Sequence, residues 1–518
     1  VGTAAAASGD IGTQDATYPA AAGAPTGSKP ESKLWFNAGQ WWASMYDPAL
    51  GGFAIFRLDR PRERWVSTGT ALDLRAGSRA DVLWDGAKLY VASHLFATSG
   101  TVAAPADAAR LYRYSYDPAS GAYGLDPGYP VTINGATSET LVIDRDSTGT
   151  LWATWTQGHR VYVAHTLGDD AAWGAPSVLP GVGTTVSADD ISSLVRFGGS
   201  IGVMWSNQAD GHEYFAVHGD GAGDGAWSTE VVPTGASPDD HVNLKADASG
   251  RVYAALKTSE DLPGQPLTLL MVRAAGGAWS AHTFGRVSDS HTRPIVELDE
   301  QHGVVHMLAT CPQPPVTSGQ SGGDICEKTT SMANPSFGPG PGTPIIRAAG
   351  SADMNDASST KQGVDGSTGL VVLAHDTDTA SYWHADLSLG SPPPSPAGTT
   401  ASGASPGTAP GAVPASAALG VSLPALTLRA QRLPRQRFRL RGTVHPVHAV
   451  VVVSLLRRGR HGRWIVVGRA RVRPARTGAA RFSFVVRRHR VRRAYRVAIT
   501  VPGAGTRSSR AVAVPRRR

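Results

Sequence analysis

The sequence predicts an all-β chain, a seven-bladed β-propeller followed by a small C-terminal β-sandwich, on three observations. Turn glycines recur at Gly39, Gly86, Gly149, Gly199, Gly250, Gly303 and Gly369, at intervals of 47, 63, 50, 51, 53 and 66 residues. Each is followed by a strand-like run: WWASM, LYVAS, LWATW, IGVMW, VYAAL, VVHML and LVVLA. A four-stranded sheet repeating at this period is a propeller blade, and seven copies give seven blades. Finally, 60 glycines and 36 prolines with little helical periodicity suit a chain of strands and turns.

The copy around Asp239–Thr258 shows the unit most clearly. Its strands, His241–Ala246 and Arg251–Lys257, flank a tight turn in which Gly250 takes a positive φ and Asp247 bonds back to the turn amides. Residues 1–30 are Ala/Gly/Thr-rich without a period and are expected to be a loose, disordered tail, although part of it could complete the last blade. The chain begins at Val1, which reads as the residue left by a removed signal peptide or as a trimmed fragment. The propeller is expected over 31–389. Trp65, Trp173, Trp227 and Trp279 follow the third strand of their repeats and are expected to pack between blades.

Residues 390–420 form a Pro/Ser/Gly/Ala stretch too poor in apolar side chains to bury a core, which reads as an extended linker. From Val421 alternation returns in FRLRGTV, AVVVVSLL, RWIVVGRARV, ARFSFVV, AYRVAIT and RAVAV, enough short strands for a sandwich. The two cysteines, Cys311 and Cys326, are spaced for one disulfide or two free thiols, and the exported look of the chain favours the disulfide. No run of 18 apolar residues occurs, so no membrane-spanning helix is expected.

Charge divides the chain in two. Residues 421–518 carry 26 arginines and no Lys, Asp or Glu, leaving 23 basic against 41 acidic residues in 1–420, a balance of −18. Such asymmetry concerns partners more than fold, and the basic module is expected to attract an anionic envelope polymer. The alternative is that arginine merely supplies the polar face of each strand.

Propeller geometry selects the candidate site, because the residues leading into the innermost strands face one another across one end of the channel. They include Lys33, Arg79, Asp81, Glu139, Asp189, Asp190, Asp240, His241, Asn243, Lys245, His291, Arg293, Asp356 and Lys361. Asp190, Asp240 or Glu139 could act as acid and base or nucleophile on a glycosidic bond. His241 or His291 could instead abstract the proton beside a uronate carboxylate held by Arg79, Arg293 or Lys245. Asn243 and Lys361 complete the expected substrate contacts. Any of these groups could alternatively cap turns or pair between blades, so catalysis and binding without chemistry both remain open. No phosphate loop, nucleophile elbow, calcium loop of more than one copy or paired-histidine motif occurs, so no cofactor or metal is expected.

Two resemblances refine this reading. Asp146-Ser147-Thr148-Gly149-Thr150-Leu151-Trp152, with echoes at 247–253 and 365–370, resembles the Asp-box of sialidase-type propellers in secreted bacterial glycan-active proteins. The resemblance implies glycan binding or hydrolysis by a monomer that is secreted or held at the cell surface. The chain lacks the Arg-Ile-Pro that opens those propellers, and its Asp/Gly turns stand between the first two strands. Gly442-Thr443-Val444, Gly462-Arg463-Trp464, Phe482-Ser483-Phe484 and Tyr495-Arg496-Val497 resemble the immunoglobulin-like modules of secreted actinobacterial proteins.

Overall fold

The computed structural model describes residues 9–97, 107–313 and 322–390, and beyond 390 the backbone of short strands between 425 and 514. Six sheets follow the chain in order, with first strands Leu34–Asn37, Ser78–Trp84, Val142–Arg145, Ser192–Phe197, Pro238–Ala246 and Thr292–Asp299. The seventh contains Met354–Ser358, Leu370–Asp376 and Ser381–Leu387, and its fourth strand is Thr13–Thr17 from the other end of the propeller. The chain is thus a seven-bladed β-propeller whose first strands line the axis and touch those of the next blade. Among the described residues the only helical elements are single 3-10 turns.

All seven turn glycines have positive φ, from 65° to 96°, at the hairpin between first and second strands. A side chain there would strain the turn. Five of these turns carry an aspartate that closes them, Asp85 and Asp299 among them. Asp146 Oδ1 accepts from Thr148 N and Thr150 N, both at 2.9 Å, while its Oδ2 accepts from Trp152 Nε1 at 3.1 Å. Asp247 and Asp365 receive the equivalent backbone bonds from Ser249 and Arg251, and from Ser367 and Thr368.

The core lies between blades. Strand alternation gives each sheet two apolar faces, and each face packs on the next sheet, as in the cluster of Val82, Val91, Trp35 and Trp42 from blades 1 and 2. The outer tryptophans pack backward: Trp227 lies 5.7 Å from Trp152 of the preceding blade, and Trp279 lies 5.5 Å from Phe215. Trp65 meets His384 of blade 7 at 6.1 Å, across the ring closure.

The loose tail expected over 1–30 requires correction. Thr13 pairs with His384 and Thr17 with Ser381, and residues 25–35 are buried apart from half-buried Lys29. The physical reason is the open edge of blade 7, whose unpaired amides and carbonyls this strand satisfies. Residues 1–8 lie outside the described residues.

Cys311 and Cys326 are disulfide-bonded and buried, joining the second and third strands of blade 6. With a separation of 15 residues, replacing both by serine is expected to lower stability by roughly 3 kcal/mol, measurable as a lower urea midpoint.

The chain divides into two compact units, Val1–Thr400 and Ala401–Arg518. In the second, Arg437–His445 pairs with Ala425–Leu426, Arg429–Leu433 and Ala480–Arg487. Val451–Arg458 pairs with Trp464–Val472 and Arg493–Val501, the last also receiving Gly505–Ser508 and Val512–Val514. The backbone here is therefore two antiparallel sheets. Gly462, Arg463 and nearly all of the expected linker over 390–420 lie outside the described residues.

Candidate functional site

Ring closure explains how the site is built. Thr13–Thr17 is at the rim of blade 7 whereas Leu34–Asn37 is at the axis, so residues 18–33 must cross one end of the channel. That crossing segment, here the strap, is fastened at each step. Tyr18 Oη donates to the Asp376 carbonyl, Thr26 Oγ1 lies 2.7 Å from His375 Nδ1, and Ser32 N donates to Asp81 Oδ1 at 2.8 Å. Glu31 is fully buried, 2.7 Å from both Lys33 Nζ and His94 Nε2, and accepts from Leu141 N at 3.0 Å. These contacts span blades 2, 3 and 7.

Bulges aim the neighbouring side chains. Pairing breaks register between Pro238 and Val242, between Thr292 and Ile295 and between Asn355 and Ser358, at the leading end of three successive first strands. Arg293 and Asp356 adopt φ of 51° and 52° there, a left-handed conformation that non-glycine residues rarely hold. Asp240, Arg293 and Asp356 are thereby turned out of the regular ladder, and Arg293 Nε meets Asp356 Oδ1 at 2.6 Å.

At the centre lies Lys29 of the strap. Its Nζ is 2.8 Å from Glu139 Oε1 and is also bonded to Asp240 Oδ2. Glu139, Asp189 and Asp240, leading into blades 3, 4 and 5, each place a carboxylate oxygen within 4.8 Å of the others. His241 Nδ1 lies 2.6 Å from Asp239 Oδ1 and 2.8 Å from Asp240 Oδ1, so that nitrogen carries the proton. Lys257 Nζ holds Asp239 from the other side at 2.7 Å.

The two carboxylates sharing Lys29 are pushed in opposite directions. Burial raises Glu139 above the usual carboxylate range despite the Lys29 charge. Burial acts the same way on Asp240, but the His241 hydrogen bond and charge, with Lys29, outweigh it and hold Asp240 far below that range. Burial would lower Lys29, yet Asp240 and Glu139 prevail and raise it. A carboxyl pair split in this way offers one proton donor and one lasting carboxylate.

The structure brings together Glu139, Asp240, His241 and Arg293 of the sequence-predicted residues. Others need correction. His291 is not at the mouth: its Nε2 is 2.8 Å from the Pro341 carbonyl and its ring packs 4.8 Å from Phe284 in the outer strand of blade 5. Asp190 is buried and closes its own loop, accepting from Ser187 N, Ser206 Oγ and Gln208 N. Asn243 accepts from Val296 N and ties blade 5 to blade 6. Lys245 pairs with Glu297 at 3.2 Å and Lys361 with Asp81 at 3.0 Å, deeper in the channel, where burial pushes Glu297 up to about 7. Arg79 is buried beneath the strap: a Cβ on Gly23 would come within 2.5 Å of its Nη2. These groups pack the axis rather than line an opening.

Lys29, Asp239 and His375 escaped the sequence reading. The signal for Lys29 was topological, because a tail that closes the ring must then cross the axis.

No protein-family model matches the chain, and no curated protein matches its sequence. Solved structures resemble it in fold. An ulvan lyase of polysaccharide lyase family PL25, bound to -[GlcA(1-4)Rha3S]-, is 11% identical with a TM-score of 0.44, covering 73% of this chain and 94% of its own. The α-L-arabinofuranosidase of Lactobacillus brevis is 12% identical with a TM-score of 0.31, covering 50% of this chain and 94% of its own. A point mutant of the NanB sialidase from Streptococcus pneumoniae is 10% identical with a TM-score of 0.28, covering 54% of this chain and 48% of its own.

Proposed function

We propose that the propeller mouth binds a glycan and hydrolyses it, with Glu139 as acid and base and Asp240 as nucleophile. The observation that carries this reading is the convergence of carboxylates from separate blades with oxygens within 4.8 Å. Two carboxylates that share one ammonium lie closer than the ~6.5–9.5 Å that leaves room for water in inverting glycosidases, which suits the retaining arrangement. In the first step an Asp240 oxygen bonds to the anomeric carbon while the glycosidic oxygen leaves with the Glu139 proton. Water, giving its proton to Glu139, then attacks the same carbon and releases Asp240.

His241, anchored by Asp239 and Asp240, favours a second reading, β-elimination beside a uronate with His241 as base. Hydrolysis is preferred because an acid-lined mouth repels a uronate, while Arg79 is covered by Gly23, Lys245 is paired with Glu297 and Arg293 with Asp356. The Asp-box-like turns and the immunoglobulin-like reading of the second unit agree with an exported, surface-held glycan enzyme. Its 26 arginines would keep the protein near an anionic envelope polymer.

The test is a panel of neutral, amino and acidic oligosaccharides incubated with the full chain. New reducing ends with retained anomeric configuration are expected. Unsaturated uronate absorbance would instead establish elimination, and saturable binding without product would establish an adhesin.

A further inference from the structure

From the side chain that fills the acidic cluster we infer that the mouth takes a glycan bearing a free amine, a hexosamine lacking its N-acetyl group, and that Lys29 occupies the place of its ammonium. The inference rests on the glycan reading above and names the substrate class. Three observations carry it. The group bound among the carboxylates is itself a primary ammonium, supplied by the chain and touching Glu139 and Asp240. His241, bonded to Asp240 through Nδ1, is more than nine-tenths buried, and its Nε2 has no hydrogen-bond partner among the described residues. Residues 1–420 hold 23 basic against 41 acidic residues, which draws cationic polymer toward the propeller and repels uronate chains.

The geometry suits an amine on C2. That nitrogen is one carbon away from the anomeric centre, so the ammonium can take the place of Lys29 between Glu139 and Asp240. The same two carboxyl groups then reach the reacting carbon, with Asp189 close enough to share the ammonium's charge. The positive charge that develops at that carbon in the transition state falls in the same field. An N-acetyl group would leave Asp189 and Asp240 without that cation, and a uronate would add a further negative charge beside them.

Lys29 is suited to being displaced. Ser28 and Lys29 hold φ of 89° and 47°, successive non-glycine residues in the left-handed region, so the strap's own backbone resists the conformation that its ion pairs impose. An amine that satisfies the carboxylates removes the reason for that strain. Thr13–Thr17 and Leu34–Asn37 stay paired in their blades, so only the crossing between them has to shift.

The test uses the full chain and glucosamine hexamer, N-acetylglucosamine hexamer and galacturonate hexamer as probes, with affinity read by calorimetry. The glucosamine hexamer is expected to bind in preference to the others. Lys29→Met, which removes the competitor, is expected to tighten its binding about ten-fold if the strap fills the site in nine molecules of ten. A Lys29→Met protein that folds and binds the amine no better overturns the inference, since a lysine that merely positions the carboxylates would weaken the site when lost. Asp189 is exposed, so Asp189→Asn should fold normally and bind the glucosamine hexamer more weakly. Unchanged affinity in that variant also overturns the inference, and it remains measurable if Lys29→Met does not fold. Preference for either other hexamer, abolished by Asp240→Asn, would sink the amine and leave the glycan reading standing. Binding of no oligosaccharide by wild type or Lys29→Met would sink both.

Discussion

Glu139→Gln is expected to slow hydrolysis of an ordinary glycoside by about 10²–10⁴-fold, the usual worth of a positioned general acid. The glutamine keeps the size and much of the hydrogen bonding but has no proton to give the leaving oxygen. An aryl glycoside whose phenolate leaves unassisted should therefore lose far less in the first step. Kinetics on the two substrates side by side check this, because a fold defect would slow both alike. The pH profile adds a signed expectation. Turnover needs Glu139 protonated and Asp240 ionised, and burial raises the first while His241 and Lys29 depress the second. Activity should thus survive deep into acid, where Asp240 stays charged, and fall on the alkaline side as Glu139 loses its proton. Asp240→Asn should abolish turnover with both substrates, since no proton-independent route replaces a missing nucleophile. If Glu139→Gln slows the first, phenolate-releasing step of the aryl substrate as much as the first step of the ordinary one, Glu139 is not the acid.

The distribution of this machinery shows which parts of the molecule could be read before any coordinates. The seven glycines announced the ring because a hairpin with positive φ is a local requirement, written at one position per blade. The identity of the mouth residues depended on the turns that lead into the first strands. Asp189 and Asp190 precede the strand Ser192–Phe197, and there Asp189 stands exposed in the carboxylate cluster while Asp190 turns inward to close its loop. Counting back from a turn glycine cannot choose between them. The bulges in blades 5, 6 and 7 add a further slip, which is why Arg293 reaches the mouth while His291, two residues earlier, packs against Phe284. Lys29 was invisible for a different reason. Nothing in an Ala/Gly/Thr-rich stretch marks a lysine as buried until the ring is seen to close through the strand before it.

The strap should also govern stability, and Glu31→Ala should be its most damaging substitution. Glu31 is fully buried with one oxygen shared by His94 and the Leu141 amide and the other held by Lys33. Removing it leaves the Lys33 ammonium buried beside the Ala80 carbonyl, 2.6 Å away, with His94 Nε2 and the Leu141 amide deprived of their partner. Breaking a buried pair in this way costs about 3–5 kcal/mol, a large share of a typical folding free energy. The pH dependence separates this ion pair from simple loss of packing. Burial alone would raise Glu31, but the Lys33 and His94 charges and bonds bring it down to about 2, below its ordinary 4.5. A carboxyl depressed on folding contributes stability that is fully present above its unfolded value and lost as pH falls toward its folded one. Wild type should therefore melt at steadily lower temperature between about pH 5 and pH 2, and Glu31→Gln, which fills the same space without the charge, should show a shallower slope there. An equal slope in the two proteins would mean that Glu31 acts by shape alone, and that the strap is held to the axis by its backbone bonds to blades 1, 2 and 7.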